Sequence, residues 1–134
     1  MRNPERLGEL PDDVCRLLRI DTASRMVMID RDTITHIFDP RSFDDAAIIV
    51  GTLARRTFDP VYCGRDLADA RLSFIMELPF PGAGDVVGIA LKLVNALTSA
   101  SRHHEIWIAT AHLVGDSTLN RMLRSNRFAV HRRN

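Results

Sequence analysis

At Pro60 the hydrophobic pattern of this 134-residue chain changes period, and that change limits the folds open to it. Before Pro60, apolar residues recur three and four apart, which lays them along one side of a helix; after it they alternate, which sends them to one face of a strand. Pro11 to Leu18 reads as a short helix, with proline in its first turn, Asp12 and Asp13 matching the N-terminal dipole, and Val14, Leu17 and Leu18 on one side. A brief strand from Arg25 to Ile29 is followed by an N-cap at Asp30 or Asp32 and a helical stretch to Phe38. Asp39-Pro40 ends it, because the residue before a proline is pushed out of the helical region. Ser42 then opens the strongest helix: its hydroxyl caps, Asp45 imitates a capping box, and Phe43, Ala46, Ala47, Val50, Leu53 and Ala54 form a stripe reaching to about Thr57.

Beyond Pro60, four strands are predicted, Val61 to Gly64, Arg71 to Leu78, Val86 to Val94 and Glu105 to Leu113, separated by turn-rich breaks. Asp116 to Ser125 reads as a closing helix with Leu119, Met122 and Leu123 inward and Arg121 and Arg124 outward. Helices first and strands after, joined by short loops, predict an α+β fold: N-terminal helices packed on one face of a four-stranded antiparallel sheet, with a short C-terminal helix. At this length one core suffices, so residues 1–134 are expected to form a single domain, mainly helical to residue 60, sheet over 61–115, then closing helix and basic tail.

Several function classes find no support. No apolar run approaches the roughly 18–20 residues of a membrane span or forms a signal-peptide core, so a cytoplasmic chain without a membrane partner is expected. Cys15 and Cys63 lack CxxC spacing and read as buried thiols. Pro81-Gly82-Ala83-Gly84 precedes a strand and lacks the Gly-Lys-Ser/Thr ending of a phosphate loop. His103-His104 with His112 fits no zinc spacing, and neither a GxSxG elbow nor a histidine paired with either cysteine is recognisable, so no metal and no cofactor are expected.

The charge is uneven. Net charge is +1, but residues 1–101 carry 12 Lys/Arg against 15 Asp/Glu, whereas residues 102–134 carry 6 Arg against Glu105 and Asp116, together with four of the five histidines. Such asymmetry points to an anionic partner. Strand alternation then sorts the polar residues. If Leu72, Phe74, Met76 and Leu78, the Val87–Leu93 aliphatic set, and Trp107, Ala109, Ala111 and Leu113 lie under the helices, then Glu77, Lys92, Thr110 and His112 share the opposite face. Gly88 and Ala90 beside Lys92 leave open space there, and a bulge in one strand would break the group apart. A solvated outer face of an antiparallel sheet would show the same alternation.

A cluster of Lys, His and Thr without paired carboxylates suits a phosphodiester cleaved without a metal. RNA is the natural substrate, because its 2′-hydroxyl attacks the adjacent phosphorus once one group removes the proton and another protonates the leaving oxygen. Histidine titrates in the range for either role, and cations hold the developing charge.

Three stretches carry a family likeness: Thr33-Ile34-Thr35-His36-Ile37; the Phe58-Asp59-Pro60 turn before a short strand; and Glu105-Ile106-Trp107-Ile108-Ala109-Thr110-Ala111-His112 followed by a Leu-x-Arg helix. Over roughly residues 24–125 the chain resembles the phage-associated branch of the nuclease superfamily that unites barnase, EndoU, the tRNA-cutting colicins and the RelE-type toxins. The resemblance implies helices followed by a four-stranded antiparallel sheet. It implies a metal-independent endoribonuclease, toxin or phage-derived, with RNA, tRNA included, as substrate and a cognate inhibitor protein as a second partner. It would make His36 and His112 the proton-transfer groups, Thr110 the polar partner of His112 and Lys92 a basic position on the preceding strand. Arg121 and Arg124 would contact phosphate. Where the pattern has a second basic pair after the His-Ile element, this chain has Asp39-Pro40 and Arg41 alone, so Arg41 is the cation expected to meet substrate there, with Glu77 on the sheet. The alternative is a non-catalytic module on the same fold that binds protein or RNA.

Overall fold

A computed structural model describes residues 5–20, 25–39, 42–95 and 104–133. In chain order the elements are β1 (Glu5–Glu9), α1 (Asp12–Leu18), β2 (Met26–Ile29), α2 (Arg31–Phe38), α3 (Phe43–Leu53), β3 (Tyr62–Asp66), β4 (Leu72–Glu77), β5 (Val86–Asn95), β6 (His104–Val114), α4 (Asp116–Arg124) and β7 (Phe128–Arg132). The local signals worked where the chemistry is local. The Asp30 carboxylate accepts the Thr33 N–H at 2.8 Å, and the Ser42 hydroxyl accepts the Asp45 N–H at 3.3 Å, so both caps form as the sequence indicates. Helix α3 ends at Leu53, short of Thr57, because the following backbone turns to β1: Glu9 N–H bonds the Arg56 carbonyl and Phe58 N–H bonds the Glu9 carbonyl, both at 3.2 Å. Its buried side carries Ala46, Ile49, Thr52 and Leu53, while Phe43 is 78% exposed, so the stripe is rotated from the one expected.

The α+β class holds, but the expected four-stranded antiparallel sheet does not. The described strands form one seven-stranded mixed sheet in the order β1-β2-β6-β5-β4-β3-β7, antiparallel throughout except for the parallel pair β2–β6. Three strands enlarge it. β2 reaches the sheet beside a partner far along the chain, a pairing that no local pattern announces. β1, with Leu7 as its one large apolar side chain, is held by its backbone ladder to β2. β7 lies where a basic tail was expected. It pairs with β3 over its full length, and the Arg133 side chain that follows bonds both Asp13 carboxylate oxygens at 2.8 and 3.2 Å, Asp59 at 2.8 Å and the Pro60 carbonyl at 2.9 Å.

Two cores flank the sheet. Helices α1, α2 and α3 cover one face, where Val14, Leu18, Ile37 and Ile49 meet Ile75, Ile89, Leu91 and Ile106 at essentially zero exposure. Burying each such side chain contributes roughly 1.5–3 kcal/mol, so this larger core dominates stability. Helix α4 covers part of the other face through Leu119 and Met122, which pack against Phe74, Met76, Val86 and Val114. Its expected inward residue Leu123 is 43% exposed, so α4 sits more lightly than the other helices. Because β4 is covered on both sides, its alternation could not say which set faces which helices. Ser73, Ile75 and Glu77 face α1–α3, and Phe74 and Met76 face α4, the reverse of the expected assignment.

Candidate functional site

Strand β6 carries a bulge that decides the site. Opposite β5, Thr110 pairs with Ala90 while Ile108 pairs with Leu91, leaving Ala109 as the extra residue. On one side of the bulge, Ile106 and Ile108 point into the large core; on the other, Ala111 does, and Thr110 and His112 turn to the α4 face. Lys92, opposite Trp107 on β6 and Leu72 on β4, belongs to that face as well. The register therefore brings Lys92, Thr110 and His112 onto one face, as expected. Lys92 and His112 are exposed and Thr110 is half-buried.

Beside them lies a cleft. His112 sits opposite Gly88, its Nε2 3.7 Å from where a Cβ on that glycine would stand, and Gly88 and Ala90 give the sheet a floor almost without side chains. Gly64 on β3 does a second job: the Phe74 ring tips over it into space that any Cβ would fill, clearing the middle of the face. Phe74 meets Phe128 edge to face, with centroids 5.6 Å apart and planes at 87°. Between these rings, Met76, Met122 from α4 and the glycine floor is a cavity of about 200 Å³. Its lining is apolar apart from His112, Asp66 and Ser73. The Asp66 carboxylate accepts Arg127 Nη2 at 3.0 Å, Arg127 Nε at 3.3 Å and the Ala68 N–H at 2.9 Å, and the Arg127 bonds hold it below the usual carboxylate range. Arg121 and Arg124 project from α4. Arg121 borders a shallow depression with Thr118, Met122 and Phe128, adjoining the cavity.

The other expected site residues lie elsewhere. Glu77 does not share the face of Lys92: it is fully buried on the α1–α3 side, where Oε1 accepts the Asp59 N–H at 2.7 Å and Oε2 accepts Arg55 Nη1 at 3.3 Å. Burial pushes its carboxyl up to about 7, against the lowering effects of the Asp59 N–H bond and the Arg55 charge. Arg55 also donates to the Leu78 and Pro79 carbonyls at 2.7 and 2.6 Å, so the pair fastens the end of β4 to the segment after α3 and leaves Glu77 out of the substrate-facing group. His36 is exposed on α2, which packs through Ile34 and Ile37 into the core on the α1–α3 face, so the sheet stands between His36 and His112. Arg41 lies outside the described residues, as do Arg102 and His103.

Nothing in the sequence marks Asp66 or Phe128 as a cleft residue. The alternation Phe128-Ala129-Val130 was the available signal for the second, masked by the charged residues around it. Burial raises the thiol of Cys15 and pushes that of Cys63 up to about 11, so neither is a ready nucleophile at neutral pH. Among the described residues, no three His, Cys, Asp or Glu side chains are grouped to hold a metal ion, and no helix is long and apolar enough to cross a membrane. No protein-family model matches the chain, and neither a curated protein nor a solved structure matches it significantly.

Proposed function

We propose that the chain acts on RNA as a metal-independent endoribonuclease whose working surface is the α4 face of the sheet around Lys92, Thr110 and His112. One observation carries this: the β6 bulge turns a histidine and a threonine onto the face of Lys92, beside a cleft floored by Gly88 and Ala90. On this surface His112 removes the 2′-hydroxyl proton, the 2′-oxygen bonds to phosphorus, and the P–O5′ bond breaks. The products are a 2′,3′-cyclic phosphate and a 5′-oxygen that takes a proton from the Lys92 ammonium. Thr110 donates to a phosphate oxygen, and Arg121 and Arg124 hold the strand from α4. The likeness to the barnase, colicin and RelE-type superfamily supports the same chemistry, acting in the cytoplasm under a cognate inhibitor.

A second reading, a module that binds RNA without cleaving it, draws on the placement of His36 across the sheet, which removes one of the two expected histidines from the surface. Purified protein incubated with total RNA and tRNA in EDTA separates the two. Cleavage that falls by about 100-fold or more in His112→Ala and persists in His36→Ala is the expected result. Salt-sensitive RNA retention without cleavage selects the binding module. Neither cleavage nor retention refutes both.

A further inference from the structure

We infer that the cleft under α4 receives one unstacked nucleobase, so that the RNA engaged by this surface is single-stranded; the inference rests on the RNA reading of the same face. The cavity of about 200 Å³ is smaller than the roughly 300–1,000 Å³ of sites that enclose a drug-sized ligand, so it takes a single ring system rather than a whole nucleotide. Its walls are the matter a base stacks or wedges against, the Phe74 and Phe128 rings and the Met76 and Met122 thioethers. The polar residues of its lining are His112, Ser73 and Asp66, and with both Asp66 oxygens bonded to Arg127, His112 is the one beside the Gly88 floor. The surroundings are cationic: Lys92 follows Ala90 on the same strand face, and Arg121 borders the adjoining depression, so phosphates on either side of an inserted base meet positive charge. A duplex keeps its bases stacked and paired and cannot offer one to such a cleft without the cost of flipping it out.

The test uses short 2′-O-methyl oligoadenylate, which lacks the attacking hydroxyl and survives any nuclease activity. It is compared with the same backbone carrying abasic residues and with the same strand annealed to its complement. The intact protein should bind the single strand roughly 10-fold more tightly than either comparison strand, the size expected of one base against an aromatic platform. Ala90→Leu fills the cleft from its floor without changing a charge. It should bring the base-bearing strand down to the affinity of the abasic strand. Met122→Phe, which fills it from the lightly packed α4, should do the same if Ala90→Leu fails to fold. Undiminished binding by a folded cleft-filling variant, or equal binding of single strand, abasic strand and duplex by the intact protein, overturns the base pocket while leaving RNA binding intact. Absence of binding to every strand refutes the RNA reading, and the pocket with it.

Discussion

Replacing Glu77 by glutamine should make the stability of the protein less sensitive to pH between about 4.5 and about 7. Glu77 is fully buried, and although Asp59 N–H and Arg55 bond its oxygens, desolvation raises its carboxyl from 4.5 to about 7, with the Asp59 carboxylate adding to the rise and Arg133 opposing it. A shift of that size is worth about 3 kcal/mol of preference for the neutral acid. The folded chain keeps the proton to higher pH than the unfolded chain, so this contribution is whole below the unfolded value and is lost as pH rises through about 7. Glutamine keeps the acceptor for Asp59 N–H, cannot ionise, and sets its amide against Arg55, a loss that does not vary with pH. Asp13 and Asp66, which Arg133 and Arg127 hold below the usual range, contribute stability that disappears in acid, but equally in both proteins. The measured quantity is therefore the difference in unfolding free energy, from urea titrations followed by Trp107 fluorescence. Relative to the glutamine variant, the native protein should lose about 3 kcal/mol between about pH 5 and about pH 8. A flat difference, or a native protein that gains on the variant as pH rises, refutes the account of Glu77 as a carboxyl dominated by burial.

Two further perturbations probe the cleft and the seventh strand. Gly64→Ala places a Cβ in the space of the Phe74 ring and 2.9 Å from the Ala129 carbonyl oxygen; it should cost about 1–3 kcal/mol in denaturant melts, and an unchanged midpoint would show that the ring has room to move. Removing residues 128–134 strips β3 of one of its two partners and Asp13 and Asp59 of Arg133; it should abolish cooperative thermal unfolding by circular dichroism, and a sharp, native-like melt would show that β7 is dispensable.

How much of this was legible in the sequence follows from how local each determinant is. Asp30 and Ser42 cap the helices they begin because a cap needs only a side chain and an amide three residues on. All four strands expected beyond Pro60 lie within a residue or two of the observed ones, because alternation is read within one segment. β1 and β7 were invisible for the opposite reason: Glu5–Glu9 and Phe128–Arg132 owe their extended form to ladders with β2 and β3, and neither holds a long enough alternation to announce itself. Glu77 was assigned to the wrong face because α4 covers the far side of β4. With both of its side-chain sets buried, choosing a face by bulk becomes a guess.

The bulge at Ala109 was the feature that mattered most and the least visible. Ile106, Ile108, Thr110 and His112 stand two apart, so an unbroken strand would put all four on one face. Were that face the open one, Ile106 and Ile108, buried at 0% and 2%, would be stripped of their core; were it the buried one, His112 would be pressed among aliphatic side chains. One extra residue resolves the conflict. It keeps the two isoleucines under the helices and turns Thr110 and His112 to the side of Lys92. The expected grouping of Lys92, Thr110 and His112 was therefore reached through alternation that does not hold along β6. A conflict of this kind between hydrophobic and polar residues of one parity is a sequence signal for a bulge. Here it coincides with the residues on which the proposed chemistry rests.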